Sequence, residues 1–187
     1  MEIDTPLPPG EGNEWEDRVF GSSTPVGTLE RPEYMGFWKS LQAVMWAPLQ
    51  RIGKDGQIET YDPANPNWGM SRLLWFSVRK HLPLRVHGRS SGTLFLHIAC
   101  RRKRTALDTH HGVDAFFFWE GAYATVDVSF LDKDKADLKA NFLITPDDME
   151  PRRLDEVGFE IARFLNYCRR QKEGGRRRGR RRRAIRR

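Results

Sequence analysis

Residues 110–130 read HHGVDAFFFWEGAYATVDVSF, two apolar runs joined by a tight turn, and this stretch decides the fold. The runs are rich in aromatic and β-branched residues, which favour strands, and Glu120-Gly121 between them is typical of a two-residue hairpin turn. With that turn Trp119 lies opposite Ala122, and counting outwards from this pair places Asp114 opposite Asp127. A four-residue loop keeps this register, whereas a loop of odd length shifts it by one residue.

The opposed aspartates require an explanation, since opposed residues share one face of a sheet with Cβ atoms roughly 4.5–5.5 Å apart, where like charges repel. A divalent cation offsets such repulsion, and Mg²⁺ (or Mn²⁺) is held by one or two carboxylates together with water and phosphate oxygens. Strand alternation also places Tyr123, Thr125 and Ser129 on the face of Asp127, as a polar lining for a site. The alternatives are solvated carboxylates, or carboxylates that meet an arginine of the RRKR cluster at 101–104.

Outside the hairpin, the chain contains further short strand-like segments and three stretches with helical spacing. The strand signature recurs in LRVHG, TLFLHIACR and LKANFLIT. Apolar residues at helical spacing occur in GFWKSLQAVMWAPLQ, in SRLLWFSVRKHL and in RRLDEVGFEIARFLNYCRR. The sequence therefore predicts an α+β fold with a mostly antiparallel five-stranded sheet flanked by helices.

The charge is divided unevenly along the 187 residues. Residues 169–187 contribute +11, so residues 1–168 carry −4 of the net charge of +7. An arginine block of this kind repels itself, so we expect it to be disordered when free and to bind nucleic acid through counterion release. A solubilising tail without a specific role is the alternative. The candidate nucleic-acid contacts are Arg176, Arg177, Arg178, Arg180, Arg181, Arg182 and Arg183, together with the internal cluster Arg101, Arg102, Lys103 and Arg104.

Composition predicts three parts of the chain and excludes several classes of protein. Residues 1–32 are rich in Pro, Gly and acidic side chains and predict an extended or disordered arm, residues 33–170 a single domain, and residues 171–187 an arginine-rich tail. Apolar runs stay well short of a membrane span, and the two cysteines form neither a zinc pattern nor a disulfide framework. We therefore expect no membrane partner and an intracellular, reducing location such as cytoplasm, nucleoid or nucleus, or a virion.

The order of acidic residues on these elements resembles a nuclease family. A helix, an Asp on one strand, an acidic residue two positions before a polar residue on the next strand, then another strand and helix, is similar to the PD-(D/E)XK superfamily. The resemblance implies a restriction-endonuclease-like α-β-β-β-α-β core and divalent-metal-dependent cleavage of nucleic acid. Asp114 then matches the first metal-binding aspartate, Asp127 the acidic position of the D/E-x-K half, and Ser129 the position of the family's lysine. Because that lysine orients and activates the attacking water, Lys133 or Lys135 would have to supply its charge.

The histidines beside Asp114 have two interpretations. The segment DTHHGVD could bring one of His110 and His111 to a metal held by Asp114, or serve as a proton relay. The alternative is a hydrogen-bonding role at the end of a loop.

The tryptophans could serve either as core or as platforms on which unpaired bases stack. Trp38, Trp46 and Trp75 fall within predicted helices, so we expect them in the core. Trp68 lies in the loop PANPNWGM and is predicted to be the exposed one.

Three hypotheses follow for the function. The first is a divalent-metal-dependent nuclease that its basic tail tethers to DNA or RNA. The second is a non-catalytic nucleic-acid-binding protein, or a virion or ribonucleoprotein structural protein, with an arginine-rich anchor. The third, a protein-interaction module, is supported only by the aromatic content.

Overall fold

A computed structural model describes residues 11–21, 32–46, 49–52, 55–86, 88–99, 105–130 and 138–185. Its helices are α1 Glu11–Phe20, α2 Phe37–Trp46, α3 Ser71–Arg79, α4 Ala106–His111 and α5 Pro151–Ile185, with a 3₁₀ turn at Pro146–Met149. The strands are β1 Gln50–Ile52, β2 Ile58–Thr60, β3 Arg85–Val86, β4 Arg89–Ser90, β5 Phe95–Ile98, β6 Ala115–Trp119, β7 Ala122–Val128 and β8 Phe142–Ile144. The predicted α+β class is confirmed.

The central sheet has four strands in the order β5-β6-β7-β8, so the prediction of five is wrong. β5, β6 and β7 form an antiparallel meander, and β8 pairs with β7 in the parallel direction. The segment LRVHG contributes β3 to a separate two-residue hairpin with β4, because Gly88, at φ +77°, turns the chain back directly after β3. A second small hairpin pairs β1 with β2.

Helices cover both faces of the central sheet. One face carries α1, α3 and α5, whose apolar side chains surround the inward residues of β6 and β7: Trp15, Val19, Leu74, Val78, Ile161 and Leu165 pack around Phe117, Trp119, Ala124 and Val126. The other face carries α2 and α4 over a smaller cluster built from Leu41, Val44, Leu107, Val113 and Phe116. Strand alternation explains the division, since successive residues of β6 and β7 point to opposite layers.

Helix α1 differs from the arm predicted for residues 1–32. Trp15, Val19 and Phe20 are buried in the larger core, so this part of the arm belongs to the domain. Residues 1–10 and 22–31 lie outside the described residues.

Helix α5 continues without a break from the domain into the arginine-rich segment. Its 35 residues correspond to about 52 Å of helix. A tail that is disordered when free was predicted, whereas the backbone is helical through Ile185; arginine is a good helix former, and the tail extends a helix that packing already stabilises. Arg169 belongs to the domain, since it is buried over the Trp119 ring with a 2.8 Å ion pair to Glu173.

Candidate functional site

The hairpin turn sets the register of the two candidate aspartates. Glu120 and Gly121 both have positive φ, +48° and +77°, which is the backbone of a two-residue type I′ turn. The pairs run from Trp119 with Ala122 to Ala115 with Val126, as the sequence predicted. One further step would oppose Asp114 to Asp127.

Asp114 departs from the regular ladder at this point. Its backbone N–H donates to the carbonyl of Val126, the residue already opposite Ala115, over 2.9 Å. Asp114 and Ala115, at the start of β6, thus oppose the single residue Val126 of β7, which has the character of a β-bulge, a feature that re-aims side chains near functional sites. The Asp114 carboxylate turns towards β7, where Oδ2 accepts a 2.6 Å hydrogen bond from the Val128 N–H.

The surroundings of Asp114 raise its pKa well above the usual range for an aspartate. Burial is the largest cause, since the side chain is only 5% exposed, and the negative charges of Glu16, Asp127 and Asp108 add to it. The hydrogen bond from Val128 acts in the opposite direction because it stabilises the charged form. Asp114 therefore lies at the centre of an acidic region that α1, α4, β6 and β7 build together.

Asp127 is buried at 7% exposure and its backbone pairs with Leu143 of β8, so it stands near the middle of the sheet rather than on an edge. Ser129 follows it, half-buried, and its N–H donates to the Ile144 carbonyl over 3.0 Å. Both aspartates thus lie at the same end of the sheet, where the Asp114 carboxylate accepts from the backbone N–H of Val128, the residue after Asp127. Lys133 and Lys135, the candidates for the missing lysine, lie outside the described residues.

Glu16 is a site residue that the sequence analysis did not identify. It lies on α1 between buried Trp15 and the charged Asp17, and its charge acts on Asp114 more strongly than that of Asp127 does. The spacing of Trp15, Val19 and Phe20 could have predicted an amphipathic helix here, but the surrounding Pro- and Gly-rich sequence obscured it.

The oxygen atoms of the Asp114 and Asp127 side chains are chemically suited to a hard divalent cation. Carboxylate oxygens are the ligands that Mg²⁺ and Mn²⁺ prefer, and Mg²⁺ commonly takes one or two of them and completes its shell with water. Asp114 Oδ2 already accepts one hydrogen bond, but an ionised carboxylate has further lone pairs. Within the described part of the chain, no three His, Cys, Asp or Glu side chains are close enough to share an ion. A cation held by Asp114 and Asp127 would therefore have to take its remaining ligands from water or substrate.

A cavity of about 250 Å³ opens beside the acidic residues. It is lined by Glu14, Trp15, Arg18 and Phe130, the chain neighbours of Glu16 and Ser129. Arg18 is exposed there, and a guanidinium suits recognition of a phosphate. Asp114 and Asp127 themselves are not among the residues that line it.

The histidines of DTHHGVD lie on a helix rather than on an extended segment. Thr105 caps α4 by accepting from the Asp108 N–H, and Gly112 ends it at φ +56°. His110 Nε2 is 2.9 Å from the Pro32 carbonyl, a structural contact. His111 Nε2 is buried without a described partner, and burial with the nearby His110 and Lys139 charges lowers its pKa.

The predicted basic contacts are only partly described. Arg101, Arg102, Lys103 and Arg104 lie outside the described residues, and of the tail arginines from Arg176 to Arg183 only the helical backbone is described.

The tryptophans are arranged opposite to the prediction. Trp68 is buried at 1% exposure, with its ring 5.2 Å from Tyr61, whereas Trp38 and Trp46 are 57% and 81% exposed. Trp75 is half-buried and donates its indole N–H to the Leu94 carbonyl.

Comparisons with protein-family models, with curated proteins and with solved structures find no match to this chain. Among the described helices, none combines the length and apolar character needed to cross a membrane.

Proposed function

We propose that the protein is a divalent-metal-dependent nuclease of the PD-(D/E)XK type, with Asp114 and Asp127 as metal ligands and the basic end of α5 as a tether for nucleic acid. The observation that carries the proposal is the position of Asp114 and Asp127 at one end of the sheet, where burial first, and then the charges of Glu16 and Asp127, raise the pKa of the Asp114 carboxyl. A bound cation would favour the ionised form of that carboxyl.

The succession of elements supports this assignment. Three antiparallel strands, β5, β6 and β7, precede a fourth strand that is joined by a crossover and followed by a helix. That succession matches the strand order of an α-β-β-β-α-β core, with Asp114 at the start of the second strand and Asp127 near the end of the third. The crossover segment 131–137, where the core has its second helix, is outside the described residues.

Each residue then has a distinct task. A divalent cation at the aspartates would polarise the phosphoryl group and lower the pKa of an attacking water. Asp127 would hold it from near the end of the inner strand β7, and Asp114 from the bulge. Ser129 would hydrogen-bond water or phosphate but cannot supply a positive charge, which leaves that task to Lys133 or Lys135.

Cleavage by single-residue variants tests the proposal. Labelled single-stranded and duplex DNA and RNA are incubated with purified protein and Mg²⁺ or Mn²⁺, with EDTA as the control. Asp127→Asn and Asp114→Asn should abolish cleavage while leaving nucleic-acid binding in EDTA unchanged. Asp147→Asn is a matched control, since this aspartate is exposed on the 3₁₀ turn. Undiminished cleavage by Asp127→Asn would refute the assignment.

Binding without cleavage is the second candidate, and Ser129 in place of the lysine favours it. The long basic helix would then anchor a folded domain to packaged or ribosomal nucleic acid, through phosphate contacts that carry no sequence information. Tight, salt-sensitive binding with no metal-dependent cleavage of any of the four substrates would select this function.

A further inference from the structure

An exposed aromatic surface lies on the α2 side of the sheet. Tyr34 is 69% exposed and Trp38 57% exposed, and Tyr123 of β7 joins them half-buried. The Trp38 and Tyr123 rings meet edge to face at 5.1 Å, and Tyr34 is 5.6 Å from the rings of both His110 and His111. Neighbouring rings thus hold these side chains in place although water reaches them. Exposed apolar surface of this kind marks an interaction site.

The charges beside this surface identify its occupant. Lys172 places its ammonium 5.5 Å from the centre of the Tyr123 ring and also donates to the Gly121 carbonyl. Lys139 acts on the pKa of His111, which contacts Tyr34, and Lys39 follows Trp38 on α2. Neither Lys39 nor Lys139 has an ion-pair partner within the described ranges. Aromatic rings interleaved with cations suit a ligand that carries both bases and phosphates.

We infer that Tyr34, Trp38 and Tyr123 form a stacking platform for unpaired nucleobases, with Lys39, Lys139 and Lys172 against the phosphates of the same strand. The ligand class is single-stranded nucleic acid, because the bases of a duplex already stack on each other and offer no free faces to protein rings. The platform is thereby distinct from the arginine block at residues 176–187, which we expect to bind single strands and duplexes alike.

Binding measurements with matched tryptophan variants test the inference. Fluorescence anisotropy of a labelled oligothymidylate of about 20 nucleotides is measured with the full chain in EDTA, beside a duplex of equal length. About 0.3 M NaCl weakens the phosphate contacts of the tail, so that stacking contributes a larger share. Trp38→Ala should weaken single-strand binding about 5- to 100-fold, and Tyr34→Ala likewise, with duplex binding unchanged. Trp38→Phe should recover most of the affinity.

Trp46→Ala is the control, because Trp46 is more exposed than Trp38 and lies on the same helix, beside Leu49 and Thr60 instead of the platform. It should bind both probes as the wild type does. Wild-type affinity in both Trp38→Ala and Tyr34→Ala, or equal losses for single strand and duplex, would overturn the inference. If Asp127→Asn still abolished cleavage, those results would leave the proposed nuclease without the platform. If Trp38→Ala and Tyr34→Ala lost single-strand binding but Asp127→Asn still cleaved, the platform would remain and the nuclease would not.

Discussion

Gly158 sets how closely α5 approaches α3. For its replacement by alanine, helix propensity predicts a more stable protein, whereas the packing between the two helices predicts a less stable one. Within a helix, Gly→Ala stabilises by about 1 kcal/mol because alanine has the higher helix propensity. An added Cβ at Gly158, however, would lie 2.7 Å from the Ser77 Cβ and closer still to the Ser77 carbonyl group. Ordinary contacts of such an atom are 3.4–4 Å, so the overlap falls largely on the α3 backbone, which cannot rotate away.

The tertiary cost should exceed the local gain. Overpacking of a close interface costs about 1–3 kcal/mol, and backbone overlap favours the upper end. Moving the helices apart by several tenths of an ångström also weakens the contacts of Leu74, Val78 and Ile161 in the core between them. Subtracting the propensity gain leaves a destabilisation of about 2 kcal/mol. For a domain of this size we expect the Tm to fall by about 4–8 °C.

Gly174→Ala is the matched control, since an added Cβ there meets nothing within 4 Å on the same helix. Urea and thermal unfolding of the two variants should therefore show changes of opposite sign, a loss for Gly158→Ala and a gain of up to about 1 kcal/mol for Gly174→Ala. A Gly158→Ala protein as stable as the wild type would show that α3 and α5 do not pack this closely, and the path of α5 out of the domain would have to be reconsidered.

Three further predictions concern pH and salt. Burial lowers the pKa of His97, whose ring stacks on Phe116, to about 4. The free energy of unfolding should therefore decrease by at most about 3 kcal/mol as the pH falls from 6.5 towards 4, because the unfolded chain binds the proton first. Urea unfolding of His97→Gln should not show this decrease. Asp114→Asn should be more stable than the wild type near pH 8, because asparagine accepts the hydrogen bond from Val128 without a buried charge. The difference in stability should shrink at acid pH. A variant less stable than the wild type at both pH values would contradict this expectation. Deleting residues 176–187 removes nine arginines. In a salt titration, the slope of log binding constant against log salt concentration for duplex DNA should become less negative by up to about 8. An unchanged slope would show that the tail does not bind the DNA.

The parts of the fold that local rules determine could be predicted from the sequence. The β6–β7 register follows from Glu120-Gly121 and the two-residue period, which together allow few other pairings. The count of strands in the central sheet could not be predicted, because LRVHG has strand composition but too few residues to show where it pairs. The parallel direction of β8 depends on the crossover before it, and composition carries no information about that direction.

The exposure of the tryptophans shows a second limit. The stripe of α2 that packs on the sheet contains Phe37, Leu41 and Val44, and Trp38 lies about 100–120° round the helix from Phe37 and Val44, so it faces water. Trp68 was assigned to the surface as a loop residue, yet α1 packs against that loop: an ideal Cβ built at Gly69 would lie 2.6 Å from the backbone nitrogen of Gly21. The first error came from assigning a tryptophan to the core because it lies in a helix, without its angular position, and the second from not knowing which element packs on a loop.

The carboxylate of Asp114 has a structural role that does not require its charge. Accepting the Val128 N–H needs only an oxygen, and an asparagine would supply one without the cost of a buried anion beside Glu16 and Asp127. The hydrogen bond alone therefore does not explain why the residue is an acid. A second role that uses the charge would explain it, and the proposed binding of a divalent cation is such a role. Asp114→Asn separates the two roles in one protein: higher stability with cleavage lost supports the metal site, whereas higher stability with cleavage retained assigns the acid no role in catalysis.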